Sequence, residues 1–324
     1  MITVIVSLVA LICTSLVIII VAGLHSTFFV DHPLSYFLEF IPDYILVILS
    51  ATIIFTKLPA KLWVFFLLLF TIFVVSPIQV NIAERYKNQS QLNSLNIASF
   101  NVAQRVEEYM LYEWFRSREL DVLFVQEARD KQFDASAANN LYSSCKPRLC
   151  ILSRFPITDY EVIDRRALGG WGLFASLHSI KVGKNEIFLM NTHFASISNF
   201  GYEFSSFDGL LSKVSLFRES KAIEFGLVKS ILRNYVHSNP LIVAGDFNIT
   251  DRNPQYKKYW GEFENLFLEA GLGYGSTRIH SWLTPRIDHL LVSNAFQTNR
   301  TWIDSNLGSD HLPIIGSISL PEER

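Results

Sequence analysis

Leu241-Ile-Val-Ala-Gly-Asp246-Phe-Asn248 decides the reading of the fold. Four consecutive apolar residues suit a strand buried on both faces. The run stops on an Asp and an Asn two apart, an ending that turn chemistry alone can explain. Asp and Asn bond their own backbone, and Asn tolerates left-handed geometry. The same construction recurs on either side. Ile97-Ala-Ser-Phe-Asn101 ends on an Asn, Leu123-Phe-Val-Gln-Glu127 on a Glu, and Phe188-Leu-Met-Asn-Thr-His193 on a His. Arg286-Ile-Asp288 opens a strand with a carboxylate, and Ser309-Asp310-His311-Leu-Pro313 places Asp beside His. Each ending has a bland reading as a solvated or turn residue. Six of them in chain order exceed what turns require, because strand ends in layered α/β folds are where distant side chains converge.

The runs themselves fall at 95–102, 122–126, 149–153, 173–177, 186–191, 241–244 and 287–292. Between them, 102–117 repeats apolar residues at helical spacing (Val102, Val106, Met110, Leu111, Trp114), and 220–236 does the same with Ile223, Leu227 and Ile231. Strands interleaved with helices predict a layered α/β domain. No internal repeat or low-complexity tract interrupts it.

Charge divides the chain. Of 28 basic and 30 acidic residues, the first eighty positions hold five: Asp31, Glu39, Asp43, Lys57 and Lys61. That imbalance excludes a disordered chain and a disulfide-stapled mini-protein. Apolar runs at about 3–24, 37–56 and 62–80 predict three membrane spans, each long enough for a hydrocarbon layer of about 30 Å. Lys57 and Lys61 lie in the turn between the second and third spans. Positive loops stay cytoplasmic, so everything after position 80 is expected outside. A polar linker, 81–94, leads to the domain at 95–324. That part is nearly neutral, which advertises no polyanion-binding surface. Cys145 and Cys150 bracket a turn-like Lys-Pro-Arg stretch; either they pair in an oxidising space or they are two unrelated thiols.

As a set, the motifs Ser-Phe-Asn101-Val, Val-Gln-Glu127, Leu-Ser153-Arg-Phe-Pro156, Asn191-Thr-His193, Gly245-Asp246-Phe-Asn248, Arg286-Ile-Asp288 and Ser309-Asp310-His311-Leu-Pro resemble the endonuclease/exonuclease/phosphatase superfamily. The resemblance covers about 70% of the chain, and with the spans it is similar to a membrane-tethered bacterial branch. It implies a four-layer α/β/β/α sandwich of the DNase-I-like kind, preceded here by three transmembrane helices. It also implies a metal-dependent phosphoesterase. Glu127, Asn101 and Asp310 would surround Mg²⁺ (or Mn²⁺), directly or through water. Asp246 would activate the attacking water, Asn248 would contact a phosphate oxygen, and His193 and His311 would serve the phosphoryl group, with Asp288 orienting His311. Which of Asp246 and His311 acts as base is left open. The expected site of action is the bacterial cytoplasmic (inner) membrane with the catalytic domain extracytoplasmic, anchored in the bilayer by the three spans.

For the substrate, the segment 194–217 carries Phe194, Phe200, Tyr202, Phe204, Phe207, Leu210, Leu211 and Phe217. It reads either as a loop packed under its own aromatics or as a surface that meets lipid. With the tether this favours a lipid-linked phosphate or pyrophosphate. A membrane-anchored nuclease and a non-catalytic membrane scaffold of the same fold are the alternatives. Trp171, Trp282 and Tyr202 read as pocket-lining or as core residues.

Overall fold

The computed structural model describes residues 94–129, 133, 140–200, 207–236, 239–279 and 284–320. The three expected spans, the linker up to 93, and Tyr202, Phe204 and Trp282 lie outside the described residues. Among those described, no helix is long and apolar enough to cross a membrane. All but 252–254 belong to one compact unit, Asn81–Asp251 with Gln255–Arg324.

In chain order the elements are β1 (Ser94–Asn101), α1 (Glu108–Ser117), β2 (Val122–Gln126), β3 (Tyr142–Lys146), β4 (Leu149–Ser153), β5 (Ile157–Asp164), β6 (Leu173–Val182) and β7 (Asn185–His193). Then follow α2 (Phe207–Tyr235), β8 (Leu241–Asp246), α3 (Pro254–Trp260), β9 (Glu264–Asn265), α4 (Leu266–Ala270), β10 (Asp288–Val292), β11 (Gln297–Ile303) and β12 (Ile314–Ser319). Two six-stranded sheets result, ordered β11-β12-β1-β2-β4-β3 and β5-β6-β7-β8-β10-β9. Each contains one parallel pair, β1 with β2 and β7 with β8; the other pairs are antiparallel. A parallel pair needs a crossover, supplied by α1 in the first sheet and α2 in the second.

Side chains alternate across a strand, so each sheet has an inner and an outer face. Leu95, Ile97, Val122, Phe124, Leu189, Ile242, Ala244, Leu290 and Ile314 form one buried cluster between the sheets. The outward residues Ala98, Phe100, Leu123, Val125 and Ile315 pack under Leu111, Trp114 and Phe115 of α1. On the far side, Phe194 and Phe247 of the second sheet's loops meet Phe225 of α2 and Trp260 of α3, with ring centroids 4.6 to 6.0 Å apart for Phe194–Phe225, Phe247–Trp260 and Phe194–Trp260. The layers are therefore helix, sheet, sheet, helix. Each fully buried Leu, Ile or Phe contributes about 1.5–3 kcal/mol to holding them together.

The inner faces explain where the polar residues go. Reading every second position, β1 gives Leu95, Ile97, Ser99, Asn101; β2 gives Val122, Phe124, Gln126; β7 gives Ile187, Leu189, Asn191, His193; β8 gives Ile242, Ala244, Asp246. All four grade from apolar to polar toward their C-terminal ends. Antiparallel β10 does so in reverse, from Val292 through Leu290 to Asp288. The dry core thus ends in a buried polar row, where Gln126 Nε2 donates to Asn191 Oδ1 at 2.8 Å across the sheets. Asn191 Nδ2 in turn donates to the carbonyls of Val125 and Cys150. Satisfying these groups is what lets them be buried.

Some expectations differ from what is found. The helix expected from 102 begins only at Glu108, because Ala103 and Gln104 have φ of 49° and 55° and the Ala103 N–H is taken by Asn101 Oδ1. Val102 and Val106 still pack in the α1 core, which is why they share its spacing. The helix expected at 220–236 starts earlier, at Phe207. Strands β3, β5 and β11 carry no apolar run, since each lies at or near a sheet edge with exposed positions. Cys145 and Cys150 are directly paired across the β3–β4 hairpin and form a disulfide, Cα–Cα 4.1 Å.

Candidate active site

Each parallel pair delivers two polar side chains at the C-terminal ends of its strands: Asn101 and the residue after β2, Glu127, from one sheet, and His193 and Asp246 from the other. His193 and Asp246 are direct register partners. That pairing depends on Gly245, whose φ is 143°; a Cβ there would lie 1.9 Å from Thr192 O, so only glycine lets β7 and β8 approach this closely. Two of the site residues hold left-handed backbone without being glycine, Glu127 at φ 50° and Asn248 at φ 52°. Such positions cost about 1–3 kcal/mol and gather at functional sites. Asn248 meets part of that cost with an Asx turn, its N–H donating to Asp246 Oδ1 at 2.8 Å.

The two sheets meet at Asn101. Its Nδ2 donates to Asp246 Oδ2 at 3.0 Å and to Glu127 Oε1 at 3.2 Å. His193 Nε2 stands 3.5 Å from Glu127 Oε1 and 3.8 Å from Asp246 Oδ2. On the other side of Asp246, His311 Nε2 is 3.7 Å from Oδ2, and its Nδ1 bonds Asp288 Oδ2 at 2.8 Å. Asn248 Nδ2 donates to Phe194 O at 3.0 Å, tying the Asp246 loop to the segment after His193. The stretch carrying His311 is held by Ser309, whose hydroxyl donates to Asn101 O at 2.7 Å and accepts from His311 N. Asp310 pairs with Arg278 at 2.8 Å.

All eight candidates thus lie in one network, linked by the contacts above; Asp310 joins through Arg278, which also touches His311 Nε2. Arg278 was not legible in the sequence: it sits on an isolated bridge to His311 at the end of a glycine-containing irregular stretch, with no apolar run to mark it. Arg165 is one of two adjacent arginines, a pairing that in sequence suggests no more than a solvated face. It instead bonds Glu224 at 2.6 Å and the His193 carbonyl. Lys221 is also a feature that sequence reasoning passed over; it is fully buried on α2 and donates to the Phe247 carbonyl.

Burial opposes charge on His311, yet the Asp288 and Asp246 carboxylates outweigh it and raise its pKa to about 9. The Arg278 contact requires Nε2 to accept, so it belongs to the neutral imidazole; a protonated Nε2 has Asp246 Oδ2 3.7 Å away. His193 goes the other way: burial, with Asp246 only partly offsetting it, lowers it to about 4. Asp246 is raised, first by burial and then by the Asp288 charge.

Cation binding has candidate groups here. Asp246, Asp288 and His311 each bring one ligand atom within 4.8 Å of the others. Asp288 Oδ1 and Asp310 Oδ1 are buried oxygens without a hydrogen-bond partner. Carboxylates without thiolates suit a hard divalent cation. Asn101 directs its amide N–H, not its oxygen, at Glu127, so it reaches an ion there through water or after turning its amide.

A four-layer sandwich with a carboxylate–imidazole cluster at the polar end of its inner faces defines a DNase-I-like α/β protein. The chain belongs to the endonuclease/exonuclease/phosphatase family, whose model matches residues 93–311. Similar solved structures include an endonuclease/exonuclease/phosphatase from Bacteroides vulgatus, 17% identical, with 70% of this chain and 99% of that one covered and a TM-score of 0.53. A humanized TDP2 of D. rerio is 13% identical over 70% and 99%, also at 0.53. The 3' phosphatase NExo from Neisseria, bound to a product DNA hairpin, is 16% identical over 68% and 98%, again at 0.53. At these identities they establish a shared fold. No curated protein matches the chain significantly.

Proposed function

We propose that this protein is a Mg²⁺-dependent phosphoesterase that hydrolyses phosphate ester or pyrophosphate bonds in a lipid-linked substrate. The observation that carries the reading is the convergence of Glu127, Asp246 and His311, which come from three well-separated stretches of the chain, into one network at the polar end of the inter-sheet core. Glu127, with Asp310 and Asn101, would hold the cation; Mn²⁺ fits the same oxygen donors. Held there, a divalent cation would supply positive charge for the phosphate oxygens and a more acidic water.

The residues divide the remaining work by their proton affinities. Asp246, raised from the ordinary carboxylate range, is the better base toward the attacking water. His311, raised to about 9 and fixed through Nδ1 by Asp288, presents a cationic Nε2–H to the phosphoryl oxygens as charge builds. His193, lowered to about 4, stays neutral and offers a hydrogen bond beside Glu127. Asn248 spends one amide hydrogen on Phe194 O and turns its other toward a phosphate oxygen.

Two observations support the membrane setting. The first eighty residues hold only five charged side chains. The Cys145–Cys150 bond suits an oxidising, extracytoplasmic space. Near-neutral charge in the remainder gives little field for a nucleic-acid backbone. The test is phosphate release by the purified protein from lipid pyrophosphates, phospholipids and plasmid DNA. Activity on lipid substrates that exceeds that on DNA supports the reading, and DNA turnover at equal or higher rates reverses the substrate assignment.

A further inference from the structure

One cleft stands apart from the carboxylate–imidazole cluster yet adjoins it. It has a volume of about 400 Å³, and its walls include Arg165, Leu168, Trp171, Phe200, Ser220 and Glu224. The charges at its base are already matched. Arg165 Nε bonds Glu224 Oε1 at 2.6 Å, the same guanidinium donates to the His193 carbonyl, and Glu224 Oε2 accepts from Ala195 N at 2.8 Å. The cleft therefore begins where the backbone of His193 leaves the catalytic network.

Its walls mix polar and apolar groups, and the apolar part includes two exposed side chains. Trp171 is 87% exposed and Leu168 39%. On α2, Leu216 and Ile223 are 55% and 49% exposed. They lie four residues before and three after Ser220 on the same helix, outside the walls of the cleft itself. Single exposed apolar residues are ordinary, but Trp171 and Leu168 stand together on the wall of a concave opening, an arrangement of the kind that meets an apolar partner.

We propose that this cleft receives the apolar chain of a lipid phosphate whose phosphoryl group lies among His193, Asp246 and His311. The inference rests on the phosphoesterase reading and adds the place of the tail. Matched charge leaves the lining without the cation that a polyanion backbone would select. The apolar first eighty residues of the same chain supply a setting in which the substrate is a lipid. Trp171 and Leu168 then act as chain-binding residues that set specificity without touching the reacting atoms.

The test uses the full chain in phospholipid nanodiscs with Mg²⁺ and a series of n-alkyl phosphates from butyl to dodecyl. For the unaltered protein kcat/KM should rise with chain length, by up to about fourfold for each methylene taken into the cleft. In the Leu168→Ser/Trp171→Ser double variant the dodecyl-to-butyl ratio should fall at least about tenfold. Equal ratios in the two proteins would overturn the inference. Occupancy can be read without turnover, because an alkyl phosphate brominated at its chain end should quench the tryptophan fluorescence of the parent protein more than that of Trp171→Phe. No difference between the two overturns the inference, as does stronger quenching of Trp171 by a single-stranded oligonucleotide, which would assign the cleft to a base. A quenching difference with no phosphate released from any ester supports the cleft assignment and defeats the phosphoesterase reading instead.

Discussion

Asp246 and Asp288 stand directly opposite each other on the antiparallel β8–β10 pair, and His311 lies against both. Like charges in register repel, so two buried carboxylates here are tolerable only with a proton or a cation between them. The imidazole supplies that positive charge, and the two carboxylates in turn raise its proton affinity.

Replacing Asp288 by Asn removes one of the two negative charges and leaves only a neutral amide oxygen to accept from Nδ1. The His311 pKa should fall from about 9 toward its ordinary value, and the alkaline limb of the kcat/KM profile should move to lower pH by about one unit or more. The pH profile of Asp288→Asn between 5 and 10 checks this. An unmoved limb with reduced kcat would mean that His311 is not the group reporting on that limb.

Stability of the metal-free protein should show the same pairing. With the folded pKa raised from 6.5 to about 9, His311 contributes its stabilisation in full below 6.5 and loses it as pH rises through 9. The gain is on the order of 3 kcal/mol for a shift of this size. His193 has the opposite sign. Its folded pKa is lowered to about 4, so its burial is penalised below 4 and the penalty fades as pH rises to 6.5. Urea unfolding in EDTA should therefore show His311→Gln most destabilised near pH 6 and converging on the parent above pH 9.

Glu127 holds a left-handed backbone at φ 50°. Glu127→Gly should relieve about 1 kcal/mol of that strain while abolishing Mg²⁺-dependent turnover. A rise or no change in the urea midpoint beside lost activity fits a residue strained for function. A loss of stability would show that its side-chain contacts with Asn101 matter more than its backbone.

The Cys145–Cys150 bond closes a hairpin loop of only a few residues, so its removal should cost about 2 kcal/mol. Comparison of Tm for the parent and Cys145→Ser, each with and without reductant, measures it. Reductant should lower Tm for the parent alone.

Much of this was visible in the sequence for one physical reason. Strands buried on both faces must be apolar throughout, so β2, β4 and the start of β8 stood out, and a polar residue at such a strand's end was conspicuous. Asn101, Glu127, His193, Asp246 and Asn248 were marked that way, whereas Asp288 opens a strand and Asp310 and His311 stand together before Leu312-Pro313 with no apolar run ahead of them. Edge strands such as β3 and β5 are half exposed and carry no comparable run. Arg278, Arg165 and Lys221 were hidden because their place is set by tertiary packing: nothing local distinguishes an arginine beside His311 from one in water. The turn at Ala103 and Gln104 was masked by Val102 and Val106, which bury against α1 in helical spacing without being helical.

The most direct measurement is phosphate release from lipid phosphates and pyrophosphates by the parent protein and by His311→Ala, each with Mg²⁺ and with EDTA, folding being verified by circular dichroism. Turnover by the parent in Mg²⁺, lost in EDTA and reduced at least about a hundredfold in a folded His311→Ala, is the expected result. Equal turnover by parent and variant, or turnover indifferent to EDTA, would contradict a cation-assisted hydrolysis centred on Glu127, Asp246 and His311.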